Sequence, residues 1–174
     1  MPNITPLQQA INLFEQGEVD TALEDMQQVL ISQPTNPLVR VEFANMLMRS
    51  QRFEDAKDVL DSLSEDDKKN QKALALYSQL ESIEVVISAP DIDSLLDSIN
   101  SNSNDSLARE QLCAHYILRG DFPAAMNQLL EIIKTDQTYK EGFARNQLIK
   151  TFDLIASDIV LVKEYRKKLS LLLN

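Results

Sequence analysis

The segment from Leu112 to Leu130 restricts the fold most, because it contains two amphipathic helical patterns joined by Gly120 and Asp121. Glycine readily adopts the left-handed backbone that often follows a helix C-terminus, and aspartate caps the free N–H groups of the next helix. Pro123 is compatible with the first turn of that second helix. The segment therefore predicts a tight antiparallel helical hairpin.

The same pattern recurs along the chain. The small alanine of the second helix is present as Ala22, Ala56 and Ala125, and the first two are 34 residues apart. Ala125 follows Ala56 by 69 positions, one more than two such periods. This period resembles that of the tetratricopeptide family. The resemblance implies an all-α, tetratricopeptide-repeat right-handed superhelix of antiparallel helix pairs with a C-terminal helical cap.

The repeats are predicted to fill residues 1–137. Gln51 and Gln137 replace the usual turn glycine and terminal proline of their repeats. Residues 138–174 form the predicted cap, with one helix from about Thr138 to Ile155 and another from Asp158 to Leu172. The approximate repeat ranges are 3–34, 37–69, a degenerate repeat at 70–104, and 105–137.

Composition excludes several classes of function. The chain carries 17 Lys and Arg against 27 Asp and Glu, a net charge of −10, which argues against nucleic-acid and membrane partners. One cysteine and one histidine cannot form an internal disulfide or a Cys/His zinc site. A signal peptide and an apolar run of about 20 residues are both lacking. We therefore expect a cytoplasmic location.

No catalytic or cofactor motif is recognisable. The three glycines form no phosphate-binding loop, and no H-E-x-x-H, C-x-x-C or nucleophile-elbow pattern is present. Cys113 occupies the small, buried position of a repeat, which favours an inert core thiol over a redox site. We expect a protein that is not an enzyme and that holds no cofactor or metal.

The first helix of each repeat lines the concave surface in this fold. Glu42 and Glu110 lie where a carboxylate clamp would carry Lys, Arg or Asn, and only Asn45 fits such a clamp. Binding of acidic C-terminal tails is therefore excluded. Two interpretations remain for the apolar residues there: packing against neighbouring helices or an absent domain, or a sequence-tolerant client groove for exposed hydrophobic segments. The groove residues are Leu38, Val41, Met48, Leu107 and Ile117.

The C-terminal half, GDFPAAMNQLLEII followed by ARNQLIKTF and DIVLVKEYRKKL, resembles the end of the CnoX/YbbN-type thioredoxin-like co-chaperones of bacteria. Ile159 departs from the pattern, since the family often has proline there. The matching residues are Gly120, Asp121, Ala125, Leu129, Leu130, Ala144, Arg145, Leu148, Phe152, Asp158, Val162, Tyr165, Arg166 and Leu169.

The resemblance implies that a thioredoxin-like domain precedes these repeats in the family. Nothing in this chain corresponds to that domain, so we expect an excised C-terminal domain. The implied function is protein–protein interaction: binding unfolded or partly folded proteins and passing them to the chaperonin or the DnaK system. The alternative is a scaffolding adaptor that joins two folded partners.

The last predicted helix has an apolar stripe at Val162, Tyr165, Leu169 and Leu172. One interpretation is a simple cap, with this stripe packed on the preceding helix. The other is a docking surface for the chaperonin, since residues 138–174 carry a local charge of +3. The predicted docking residues are Lys163, Arg166, Lys167 and Lys168.

Overall fold

A computed structural model describes residues 4–173, and every regular element in that range is helical. The prediction of an all-α fold is confirmed. Residue 3, where the first predicted repeat begins, and residue 174, where the predicted cap ends, lie outside the described residues. The ten α-helices are α1 (Pro6–Glu15), α2 (Val19–Ser32), α3 (Pro37–Arg49), α4 (Phe53–Asp61), α5 (Gln71–Val86), α6 (Ile92–Ser101), α7 (Ser106–Leu118), α8 (Phe122–Thr135), α9 (Phe143–Leu154) and α10 (Ile159–Leu173).

Short polar residues fix where several helices begin. The side chains of Thr5 and Asn36 accept hydrogen bonds from the free N–H groups of α1 and α3. Asp105 and Asp121 cap α7 and α8 in the same way. In α1, α3 and α8, a proline occupies the first turn, where its missing N–H costs no helical hydrogen bond.

The chain divides into two compact units, Met1–Tyr77 and Ser78–Asn174, with the boundary inside α5. In unit 1, α1 pairs with α2 and α3 pairs with α4. The small alanines at these seams, Ala22 and Ala56, are fully buried. In unit 2, α7 packs on both α6 and α8, and α8 also contacts α9 and α10.

The core of unit 2 is formed by α7, α8, α9 and α10. Val162 and Tyr165 bury the apolar stripe of α10 in this core, together with Leu148 and Phe152 of α9. The Tyr165 hydroxyl lies 3.1 Å from the Pro123 carbonyl oxygen and 2.9 Å from Asn127 Oδ1. The stripe therefore packs as the cap interpretation requires.

The predicted single helix from Thr138 to Ile155 is wrong. Residues 139–141 form a short 3₁₀ turn, and α9 begins only at Phe143. Lys140, Glu141 and Gly142 have φ angles of 43°, 56° and 85°, all in the left-handed region. A right-handed helix cannot pass through three such residues, so the helix is interrupted here.

Candidate functional site

Unit 2 contains an open cavity of about 410 Å³, which we call the unit 2 groove. Three helices form it, α5, α7 and α9, and the 3₁₀ turn adds one side chain. The groove is lined by Glu81, Ser82, Glu84, Val85, Glu110, Cys113, Ala114, Ile117, Lys140, Phe143, Asn146, Gln147 and Lys150.

The floor of the groove is apolar. Cys113, Ala114 and Ile117 contribute from one face of α7, because residues three and four apart in a helix point the same way. Phe143 contributes an aromatic ring from the first turn of α9. The small side chains of Cys113 and Ala114 leave room above them, so the floor can accept side chains of another molecule.

The rim of the groove is polar. Lys150 Nζ of α9 lies 2.8 Å from Glu81 Oε1 of α5, and both side chains are about half exposed. An ion pair in such solvated surroundings contributes little to stability. Asn146 and Gln147 add side-chain amides on the α9 side. The polar side chains of the rim can therefore give up their present contacts and bind a ligand at a small cost in free energy.

Glu110 is the exception among the polar groups of the groove, because its residue is only 8% exposed. Tyr139 donates its hydroxyl proton to Glu110 Oε2 at 2.7 Å, and Lys140 Nζ donates to the same oxygen at 2.6 Å. Burial and the hydrogen bond to Glu110 raise the pKa of Tyr139 above its usual range. The Tyr139 and Phe143 rings meet edge to face, 6.2 Å apart. The 3₁₀ turn is thus fastened to the groove wall.

Cys113 has the environment of a core thiol. Its side chain is buried, and burial together with the nearby charge of Glu110 raises its pKa to about 12. The thiolate, which is the reactive form, is therefore scarce at neutral pH. His115 Nε2 lies 3.0 Å from the Pro90 carbonyl oxygen. Within residues 4–173, no cluster of His, Cys, Asp and Glu has the arrangement of a metal site.

The five predicted client-groove residues have different environments. Leu38 and Leu107 are about half exposed, whereas Val41, Met48 and Ile117 are buried in their own units. Leu38 and Val41 line a separate cavity of about 370 Å³ in unit 1. Ile117 lines the unit 2 groove. The structure therefore brings Leu38 and Val41 together in one cavity. Ile117 lies beside residues of α5 and α9 that were not predicted to be part of a groove.

The four predicted docking residues of α10 differ in their contacts. Arg166 lies over the Phe152 ring, 5.6 Å from its centroid. Lys168 lies over the Tyr165 ring and pairs with Glu164 at 2.7 Å. Lys163 and Lys167 are exposed, and neither forms an ion pair with a residue in the described part of the chain. Within residues 4–173, these two lysines contact neither an aromatic ring nor a carboxylate, unlike Arg166 and Lys168.

Sequence reasoning missed the contribution of α9 to the groove. The helix was assigned to a terminal cap, and its groove-facing residues were not considered. Their spacing of three, four and seven residues from Phe143 would have identified them as one helical face. That face consists of Phe143, Asn146, Gln147 and Lys150.

Comparisons with known proteins identify the repeats. Models of the tetratricopeptide repeat match residues 13–80 and 87–174. A domain of a protein of unknown function from Vibrio parahaemolyticus is 20% identical, with a TM-score of 0.43, and the match covers 95% of this chain and 96% of that one. A thermophilic tetratricopeptide protein from Thermus thermophilus is 17% identical, with a TM-score of 0.46, and 94% and 97% of the two chains are covered.

No curated protein matches the chain significantly. Among residues 4–173, no helix combines the length and the apolar character needed to span a membrane.

Proposed function

The chain belongs to the tetratricopeptide-repeat family, whose domains mediate protein–protein interactions, and on this premise we propose that it binds unfolding proteins as part of a thioredoxin-like co-chaperone. In this proposal it passes unfolded or partly folded proteins to the chaperonin or the DnaK system in the cytoplasm. The family is an interaction scaffold and generally not enzymatic. The resemblance of the C-terminal half to the CnoX/YbbN type supports the choice of partners.

The observation that carries the proposal is the combination of an apolar floor and an amide-bearing rim in the unit 2 groove. An extended segment offers apolar side chains together with main-chain N–H and C=O groups that need partners. Ile117 and Phe143 can receive the side chains, while Asn146 and Gln147 can pair with the main chain. Contacts of this kind depend weakly on sequence, as a holding function requires.

Suppression of aggregation tests the proposal. We expect the chain to keep a chemically denatured model protein in solution on dilution, measured by light scattering. Ala114→Leu fills the groove floor and should reduce this effect, whereas Ala156→Leu makes the same change at an exposed site outside the groove. Equal suppression by both variants would exclude the groove as the binding site. Binding of folded partners without suppression would favour the scaffolding adaptor.

We place chaperonin docking on the basic residues of α10, because residues 138–174 are positive in a chain of charge −10. Reversing Lys163 and Lys167 to Glu is the cleanest test, since Arg166 and Lys168 also stack on aromatic rings of the core. We expect binding to weaken roughly tenfold at low salt and less at high salt. Reversing Lys69 and Lys134 changes the net charge equally at sites outside α10. If the variant with Lys163 and Lys167 reversed bound the chaperonin as tightly as the unaltered chain, α10 would have a capping role only.

A further inference from the structure

Glu110 lines the unit 2 groove, and its two carboxylate oxygens differ in their hydrogen bonds. Tyr139 and Lys140 both donate to Oε2, and no residue in the described part of the chain donates to Oε1. Among the described residues, no fully buried side-chain oxygen or nitrogen lacks a partner, so Oε1 is not fully buried. The side chain itself is only 10% exposed. The groove lining therefore includes a carboxylate that is held in place through Oε2 and whose Oε1 can still accept a hydrogen bond.

We propose that Glu110 anchors one basic side chain, Arg or Lys, of the segment that binds in the unit 2 groove. The inference rests on the proposed function, since it assumes that the groove takes an extended protein segment. It specifies the kind of segment that binds: a run of apolar residues that contains a single Arg or Lys. A carboxylate or an entirely neutral segment would leave Glu110 Oε1 without a partner of opposite charge.

The charges around the groove are complementary to such a cation. The lining contains three carboxylates, from Glu81, Glu84 and Glu110, and two ammonium groups, from Lys140 and Lys150. The formal charge of these lining residues is therefore −1. A guanidinium or ammonium group supplied by the ligand is therefore not repelled overall, and it can form a charge-assisted hydrogen bond to Glu110 Oε1.

The residues around Glu110 hold its carboxylate in place while leaving it accessible to a side chain of the ligand. Tyr139 is protonated at neutral pH and donates to Oε2. Burial and the hydrogen bond to Glu110 raise its pKa further. The Lys140 side chain is 52% exposed and can rotate aside without being buried elsewhere. Ile117 and Phe143 lie on the same lining and can cover the aliphatic stem of an incoming Arg or Lys.

Two labelled peptides of about ten residues test the proposal by fluorescence anisotropy with the whole chain. One consists of Leu, Ala and Ser with a single central Arg, and the other has Gln in place of that Arg. We expect the Arg peptide to bind roughly tenfold more tightly at low salt, with the preference shrinking as salt screens the pair. The Gln peptide measures groove binding without the anchor.

Two substitutions separate an anchor from a purely structural carboxylate. Glu110→Gln keeps the shape and should reduce the preference for the Arg peptide to near one. Lys140→Met removes the competing cation and should preserve or increase the preference, although it loosens the same turn. A structural role would make the two variants behave alike. Glu42→Gln, at a carboxylate of unit 1 that pairs with Lys72, is the matched control and should change nothing.

The outcomes distinguish the anchor from the proposed function beneath it. If the unaltered chain bound the Arg and Gln peptides equally well, Glu110 would not anchor a basic side chain, but the proposal that the groove binds an extended segment would still hold. A preference that survives Glu110→Gln would also overturn it. Binding of neither peptide would overturn both the anchor and the assignment of the groove.

Discussion

The turns of the helical hairpins have a left-handed backbone whether or not glycine is present. Gly17 and Gly120 adopt φ angles of 88° and 72°, and Gln51 adopts 60° at the corresponding position of the second hairpin. A left-handed residue with a Cβ atom costs about 1–2 kcal/mol. The packing of α3 on α4 therefore holds Gln51 in an unfavourable conformation.

Replacing Gln51 with Gly should stabilise the chain. The relief of backbone strain exceeds the extra entropy that glycine gives the unfolded state, so we expect a gain of about 0.5–1 kcal/mol. Gln16→Gly makes the same chemical change at a residue with φ of −81° and should cost about 0.5–1 kcal/mol. Urea unfolding measures both variants. A loss of stability in Gln51→Gly would mean that the turn is not strained.

Cys113 should react slowly in the native protein. Its side chain is 2% exposed and its pKa is raised to about 12, so both access and thiolate content are low near pH 8. Labelling with a thiol reagent should be slow in buffer and fast in denaturant. The rate of labelling is measured from the change in absorbance as the reagent is consumed. Rapid native labelling would show that the groove floor opens and would revive a redox role.

At the scale of the element, the small alanines set how closely the two helices of a hairpin approach. Ala22, Ala56 and Ala125 are all fully buried, each on the second helix of a pair whose two helices contact each other. The 34-residue spacing of Ala22 and Ala56 therefore reflects a packing requirement that Ala125 meets again in the hairpin of α7 and α8. A larger side chain at any of these positions has no space to occupy.

Ala125→Leu should overpack the hairpin of α7 and α8 and lower the free energy of unfolding by about 1–3 kcal/mol. The adjacent Ala124 is only partly buried, so Ala124→Leu provides a control on the same turn of helix. We expect Ala124→Leu to change stability by less than about 1 kcal/mol. Thermal melting followed by circular dichroism distinguishes the two. Similar melting temperatures for both variants would contradict the predicted register of the repeat.

At the scale of the whole molecule, α10 contributes to the core of unit 2 as well as to the predicted docking surface. Val162 and Tyr165 are buried, and the Tyr165 hydroxyl contacts α8 through Pro123 and Asn127. Four apolar side chains of the same helix remain exposed. They are Ile159, Val160, Leu171 and Leu173.

Deleting residues from Ser157 onward is expected to abolish chaperonin binding, but the structure shows that it also removes part of the core. We expect the deletion to lower the free energy of unfolding by more than about 3 kcal/mol, because an aromatic and an aliphatic core residue are lost. Denaturant unfolding and binding of a hydrophobic dye report the loss. A deletion variant of unchanged stability would mean that α10 does not form the core described above. Charge reversal at Lys163 and Lys167 remains the specific test of docking.

The sequence determined the local parts of this protein. Caps such as Thr5 and Asp121 and the left-handed glycines act through contacts within a few residues, so their effect is visible in a short stretch of sequence. The alanine spacing likewise predicted the hairpins, since each repeats the same packing. Helix type, helix order and the tetratricopeptide family follow from these features.

Only the tertiary structure decided how residues distant in sequence meet. The break at Lys140, Glu141 and Gly142 depends partly on the bonds that Glu110 makes to the turn, 29 and 30 residues away. Glu110 itself was predicted only to repel carboxylates, and the helix carrying Asn146 and Gln147 was assigned to a cap. Periodicity identifies the inward face of one helix, but it does not specify which other helices that face meets. The unit 2 groove depends on three helices at once, so packing alone determined its lining and the open oxygen of Glu110.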